Sequence, residues 1–559
     1  MTIGHISYNI SSESIIEKYT DTPFDDNSPT DQDIILDLAA TELVNKVRSG
    51  EIWFPYHKFY TIKPQDLFEN LKTFDISIEH DRYKLYSYYP TFASYLPPQF
   101  RGNPTTISAA ADRYEKADIL SDHFIEDVRL KAKRYDQDLS PLECWHDDIS
   151  LKNKIMKPVL KSQYITPQSV REAVYNYGEA TTFSPTWAIS LLRLVLGNDL
   201  IGKKWLDISA GWGDRLLAAM SLDMDYIGFD PNTELQPGHC QMISMFGDNT
   251  RHKIIYEPFE KAIIPPGPYD VVLTSPPYFD LEIYSRNQEG QSTFTFPTYE
   301  KWMIWFLFES LRKSWDNLKD NGFLILHLGD ARTIRTTEAT NIFIENNLSG
   351  ASWEGVIGIK GRSGFARPVW IWKKVPKGTK QHFWEPHGYN NKALPYSQRT
   401  LFNTYPELQK ELIRYYVAKY APNYNIHINN THNIRNYIGL SLPTIPKNKI
   451  DDLLNDLLIK SLLESIGTDE TVQACIRIVK NDGSDINDYV SQYAPNYNIY
   501  KTGCSVIRER ILSLRPDISK ESVDNLLSDD LMISSLLKVL GADKTITWAT
   551  AMIQLTFRR

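Results

Sequence analysis

The chain has 559 residues, enough for about three or four domains, and with 42% hydrophobic and 23% charged residues it has the balance of a globular protein. A net charge of −8 excludes a uniformly basic nucleic-acid binder and leaves room for a local basic groove. No apolar run is long enough to span a membrane, the N-terminus has no signal design, and Cys144, Cys240, Cys475 and Cys504 form no CxxC pair, so the expectation is an intracellular protein, cytoplasmic or nucleoid-associated, without structural zinc.

Residues 1–35 are polar and acidic and read as a flexible or loosely docked arm. A mixed accessory domain is expected over 36–160. It opens with an amphipathic helix from Ile34 to Val44, passes a tyrosine-rich stretch from Tyr83 to Tyr95, and breaks at Pro97-Pro98. A helical stretch is expected from Ile107 to about Tyr135, with its basic end, Arg129 to Arg134, as a solvated face. From 161 to 375 strands and helices alternate. Helix 187–196 is followed by strand 204–208, a glycine turn, helix 214–220 and strands 226–229, 253–256 and 270–274. Helix 299–318 then leads through Asp320-Asn321-Gly322 to strand 323–328, and residues 355–360 and 368–373 pair as a hairpin. Such alternation predicts an α/β domain with a mostly parallel sheet covered on both faces. A linker over 376–405 ends it. Beyond that, Tyr420-Ala421-Pro422-Asn423-Tyr424-Asn425-Ile426 recurs from Tyr493 to Ile499, an offset of 493 − 420 = 73 residues. The same offset relates Ile434-Arg435 to Ile507-Arg508, so two copies of a helical module are expected, over 406–480 and 481–559.

Two stretches of the α/β region carry chemistry. Trp205-Leu206-Asp207-Ile208-Ser209-Ala210-Gly211-Trp212-Gly213 is a strand and a tight glycine loop that opens a helix, where the backbone can approach a ligand closely. Leu216 stands where a dinucleotide fingerprint needs a third glycine, which disfavours NAD. The next two strands end at Asp230 and Glu257. The first is placed for ribose hydroxyls; the second, with Phe259, suits an adenine amino group and ring. Each acid alone reads as a strand-end cap; the three strand ends together read as a nucleoside site. The second stretch is Ser275-Pro276-Pro277-Tyr278, directly after the strand Asp270 to Thr274. Proline ends a strand rigidly and leaves a hydroxyl, carbonyls and an aromatic ring at the sheet edge. A ring-bound primary amine suits that turn: its hydrogens go to Ser275 and the Pro276 carbonyl, and its ring stacks on Tyr278.

These residues resemble a class I S-adenosylmethionine-dependent methyltransferase. Ser275-Pro276-Pro277-Tyr278 is similar to the motif of the amino-methyltransferases that act on exocyclic nitrogens of DNA, N4 of cytosine or N6 of adenine. The resemblance covers about residues 160 to 375 and implies a Rossmann-like core with a mostly parallel seven-stranded sheet; the N-terminal mixed domain and the C-terminal duplicated helical domain read from the flanks lie outside it. It implies S-adenosyl-L-methionine as cofactor, held by Phe183, Ser184, Thr186, Asp207, Ser209, Ala210, Gly211, Gly213 and Asp230, with Glu257 and Phe259 beside the adenine. It implies catalysis by Ser275, Pro276, Pro277 and Tyr278 on a flipped base, with the sulfonium as electrophile and no metal. DNA is then the expected partner, with RNA as the alternative. Lys360, Arg362 and Arg367, on the glycine-containing loop of the final hairpin, suit phosphate. Gln291 and Trp302 suit either the base pocket or the core, and Asp330 a helix cap. The helical copies are expected to contact a protein partner or a second copy of the chain, and no membrane. The rival readings are an RNA or protein methyltransferase, and a non-catalytic protein that keeps the fold.

Overall fold

The structure, a computed structural model, describes residues 8–20, 29–74, 115–284, 291–330, 336–360, 366–376, 424–484 and most of 486–549, with a few positions between 407 and 415. The tyrosine-rich stretch, Pro97-Pro98, most of the expected linker and Arg362 lie outside the described residues. Two compact units divide the chain, Met1–Ser397 and Gln398–Arg559.

The strands of the first unit are β1 (Ile10–Ser11), β2 (Lys133–Arg134), β3 (Tyr164–Ile165), β4 (Lys204–Asp207), β5 (Asp225–Phe229), β6 (His252–Ile255), β7 (Tyr269–Thr274), β8 (Glu282–Ile283), β9 (Leu318–His327), β10 (Ala351–Lys360) and β11 (Ala366–Lys374). Seven of them form one sheet in the order β10-β11-β9-β7-β4-β5-β6. β4, β5, β6, β7 and β9 run parallel, and β11 is antiparallel to both of its neighbours. Successive side chains of a strand point to opposite faces, yet Val271, Val272 and Leu273 are all fully buried, so both faces of the central strand are covered. Trp205 ties β4 to β7: its indole N–H donates to the Leu273 carbonyl at 2.9 Å while its ring meets Tyr226 edge-on. The expected Asp320-Asn321-Gly322 loop lies within β9, where the pairing with β7 shifts register between Tyr269 and Val271 and Asn321 takes φ 63°.

The described residues among the first 160 belong to this unit and share its apolar clusters. Leu67, Phe68, Leu71 and Ile125 share one apolar cluster with Trp187, Leu216 and Met242 of the α/β region. A second cluster joins Ile15, Leu43 and Val47 to Ile155 and Val174. Residues 8–20, expected within a flexible arm, are ordered: β1 pairs antiparallel with β3, and the helix Ser12–Thr20 buries Ile15. The expected helix to Tyr135 is also corrected. Helices Glu115–Asp118 and Asp122–Arg129 are separated by a turn, and Lys133-Arg134 is β2, paired with β8.

In the second unit, helices Tyr424–Ser441 and Pro495–Leu514 are counterparts, as are the helical segments that begin at Asp456 and Asp530. Asn455 and Asp529 cap the latter two with their side chains, and each segment ends at a left-handed glycine, Gly467 at φ 77° and Gly541 at φ 75°. Arg435 and Arg508 each donate to a leucine carbonyl, of Leu454 and Leu527, and each pairs with an aspartate, Asp456 and Asp530. Among the described residues, no helix is long and apolar enough to cross a membrane.

Candidate functional site

Strand order decides where a ligand can sit. From β4 the chain steps outward one way through β5 and β6, then returns to β7 on the other side of β4 and steps outward through β9. The carboxyl ends of β4 and β7 therefore flank a topological switch point, where open α/β sheets bind ligands. Both chemical stretches emerge there. A cavity of about 670 Å³ opens at this edge, lined by Ser209, Gly211 and Asp230 on one side and by Ser275, Pro276, Pro277 and Tyr278 on the other. That volume suits a small-molecule site.

The glycine loop is held by its own hydrogen bonds. Gly211 and Gly213 take positive φ, 60° and 89°, and a Cβ on Gly213 would lie 2.8 Å from the Met242 sulfur. The Gly211 N–H donates to Asp230 Oδ2 at 2.8 Å, and the Asn232 N–H to Oδ1 at 2.9 Å. Burial raises the Asp230 carboxyl to about 6, against the pull of those two amides. Asp214, in the first turn of the helix Asp214–Ser221, is likewise raised to about 6 by burial, and it accepts from Ser121.

At the other wall, the Ser275 hydroxyl lies 2.9 Å from Nδ1 of His327, the last residue of β9. The Tyr278 hydroxyl lies 2.9 Å from the same nitrogen. His327 is 4% exposed and meets the Phe183 ring edge-on at 5.2 Å. Phe183 also carries the Arg215 guanidinium over its face at 5.0 Å. Phe279, directly after the turn, sits at φ 51°, a conformation rare for a side chain of its size.

The N-terminal segment closes over this edge. β2 pairs with β8 just beyond the turn, and the Tyr135 N–H donates to the Leu281 carbonyl at 3.0 Å. Arg134, Tyr135 and Asp136 thereby line the cavity. Behind the strap lies a buried ion network. Arg129 pairs with both oxygens of Asp122 and with Glu179, Arg171 with Glu179 and Glu126, and His57 with Asp122 and Glu126. Burial alone would lower the His57 imidazole, but the hydrogen bonds to Asp122 and Glu126 raise it. His57, Asp122 and Glu126 form the one trio of metal-ligand type among the described residues. Arg129 and Arg171 already neutralise its carboxylates, so the trio reads as ion pairing rather than a metal centre.

No protein-family model matches this chain, and no curated protein does. Solved structures do resemble it. TrmN from Thermus thermophilus is 14% identical, with 37% of this chain and 66% of that one covered and a TM-score of 0.25. An O-methyltransferase of a Brevibacillus brevis multienzyme, in complex with S-adenosyl-L-homocysteine, is 13% identical over 34% of this chain and 73% of that one, with a TM-score of 0.24. The N-methyltransferase NodS from Bradyrhizobium japonicum is 10% identical over 34% and 94%, with a TM-score of 0.25.

Of the residues singled out from sequence, Phe183, Ser209, Gly211, Asp230, Phe259 and the four of the proline turn line the cavity. Others lie elsewhere. Asp207 is fully buried, accepting from Arg215 at 2.7 Å, Tyr226 at 2.8 Å and the Ser209 N–H at 3.2 Å, so it holds the loop from behind. The Thr186 hydroxyl is taken by Asp118 at 2.7 Å. Ser184 is fully buried at φ 54°, beneath the start of the helix Pro185–Leu196. Ala210 and Gly213 shape the loop without lining the cavity. Glu257 is exposed and outside it; Glu260, three residues on, lines it and is raised by burial. Gln291 lines the cavity, whereas Trp302 is fully buried and donates to Ser292. Asp330 also lines the cavity, and it accepts from the Thr337 N–H and hydroxyl, each at 2.8 Å, as a helix cap does. Lys360 and Arg367 stand at the facing ends of β10 and β11. Sequence reasoning missed the roles of His327, Arg134 and Tyr135. Only His327 carried a signal, as a polar residue ending a strand at the same edge.

Proposed function

We propose that this chain is an S-adenosylmethionine-dependent methyltransferase that acts on an exocyclic amino nitrogen of a DNA base, N4 of cytosine or N6 of adenine. One observation carries the reading: the glycine loop with Asp230 and the Ser275-Pro276-Pro277-Tyr278 turn face one cavity from adjacent strand ends. The residues fit such a cofactor. A half-buried carboxylate raised to about 6 at the cavity wall favours hydroxyl donors such as those of a ribose, and the buried Phe259 with Pro258 offers an apolar wall for a ring. When bound, S-adenosylmethionine supplies a sulfonium methyl group as electrophile.

The chain's own residues then position the nucleophile. A ring amine is a poor nucleophile because its lone pair is delocalised. Ser275 Oγ and the Pro276 carbonyl accept its two hydrogens, which favours a pyramidal nitrogen with its lone pair free to attack. Tyr278, held through its hydroxyl by His327, supplies a ring for the extruded base to stack on. The strap formed by β2 and β8 lines that side of the cavity through Arg134 and Glu282. The test is incubation of the full chain with DNA, or with RNA, and isotope-labelled cofactor, followed by mass spectrometry of the nucleosides. Labelled N4-methylcytosine or N6-methyladenine from DNA is the expected product. Label in RNA alone would replace the acceptor, and label in neither would refute the reading.

A further inference from the structure

A carboxylate in the first position of a proline turn has only acceptors to offer an amine. A serine there has one hydrogen of its own, and if that hydrogen points at the amine the oxygen cannot accept along the same direction. The hydrogen must be directed elsewhere. We propose that His327 is a positioning residue that takes the Ser275 hydroxyl hydrogen on Nδ1 and leaves the oxygen's lone pairs to the acceptor amine; this rests on the reaction proposed above. No covalent step is involved, and the proton stays on Ser275.

The geometry supports this assignment in three ways. Ser275 Oγ and Tyr278 Oη both lie 2.9 Å from Nδ1, so one bare ring nitrogen can accept from the two hydroxyls of the turn together. The imidazole is 4% exposed and lines the cavity, so it is shielded from bulk water yet adjacent to the reacting position. It ends β9, which pairs with β7 up to Leu326 opposite Thr274, and β11 pairs with His327 itself at Val369. Pairing of the preceding residue with the strand that leads into the turn, and of His327 with β11, fixes its place relative to the turn. The arrangement requires the tautomer that carries hydrogen on Nε2 and leaves Nδ1 bare.

Two measurements test it, and the first does not depend on catalysis. In the full chain labelled with 15N-histidine, the His327 signal is assigned by its loss in His327→Asn. The expected spectrum is that of the Nε2–H tautomer, with an Nδ1 shift that moves in Ser275→Ala. An Nδ1–H tautomer, or an Nδ1 shift indifferent to Ser275→Ala, overturns the proposal. The second measurement is kinetic. His327→Ala lowers kcat by about 100-fold, with cofactor Kd within about twofold of wild type, because the loss is one of positioning. Asn places a polar atom where Nδ1 stood, so His327→Asn recovers at least about tenfold of that loss. A merely structural histidine would show the same loss in both variants, or a loss shared with cofactor affinity, and either result overturns the proposal. If wild type transfers no methyl group to DNA or RNA, the proposed reaction fails, and the tautomer measurement decides the His327 assignment by itself.

Discussion

Asp230 spends one lone pair on the Gly211 amide and one on the Asn232 amide, and its remaining acceptor capacity lies at the cavity. Replacing it with alanine is expected to weaken cofactor binding by about 1.5–3 kcal/mol, the range for hydrogen bonds to a charged group, which calorimetry reads directly. Its raised carboxyl adds a pH signature. The ionised form is the better acceptor, so affinity should fall as pH drops through about 6. Asp214 also sits near 6, so loss of the trend in Asp230→Asn, and not in Asp214→Asn, assigns it. At the turn, Ser275→Ala should lower turnover by about 100-fold or more while leaving cofactor affinity close to wild type. Turnover at the wild-type rate would remove the turn from the active site. Legibility at this scale depended on what else competes for each side chain. Asp230 was visible because it ends the strand that follows the glycine loop, at the sheet edge where ligands bind. Asp207 was equally visible and is nonetheless buried, because Arg215 and Tyr226, which take it, come from elsewhere in the chain. Thr186 likewise has a partner the local sequence does not show: Asp118 is 68 residues away.

Long elements were legible and short ones were not. β4, β5, β6 and β7 fall within one or two residues of the strands expected from their apolar runs, because a covered parallel strand must be apolar along its length. β2 and β8 are two residues each and have no pattern of their own; only tertiary pairing makes them strands. The same holds for Arg129, which opens a basic run in the sequence and belongs to a buried ion network in the fold, at 3% exposure. Removing one partner from such a network strands a buried charge. Arg129→Ala should therefore destabilise the first unit by about 3–5 kcal/mol in denaturant or thermal unfolding. His57 gives that network a pH dependence. Its folded value is raised above the ordinary 6.5 by Asp122 and Glu126, with Arg129, Arg171, Lys58 and His123 as the surrounding cationic or titratable groups. Its contribution is fully present below about 6.5 and is lost as pH rises through the folded value. Melting curves from pH 6 to 9 should show a decline that His57→Gln flattens.

On the scale of the whole molecule, the helical unit is the part whose role stands furthest from the cavity's chemistry. We propose that it contacts protein, either a partner or a second copy of the chain. Deleting residues from Pro406 onward should leave cofactor binding intact and change the assembly state, read by calorimetry and light scattering. An unchanged assembly state with loss of salt-dependent DNA binding would make it the DNA-gripping element instead. Two of the acids of this unit are engaged locally: Asp529 caps its helix, and Asp530 pairs with Arg508. The duplication itself was plain from sequence, but how the copies meet was not. Lys460 donates to Ser534 at 2.9 Å, and Glu464 pairs with Lys538 at 3.0 Å. These are counterpart positions, since 534 − 460 and 538 − 464 both equal 74, the repeat of 73 plus one residue inserted at Ser528. Each copy thus touches its own image, and at both points the image is a different residue. Two first copies facing each other this way would set lysine against lysine and glutamate against glutamate, and two second copies would set Lys538 against itself, a like-charge contact that costs several kcal/mol at an interface. Preference for the unlike twin is written into the seam. Made as two separate polypeptides divided near residue 485, the halves should form a one-to-one mixed pair in native mass spectrometry, with neither half pairing with itself.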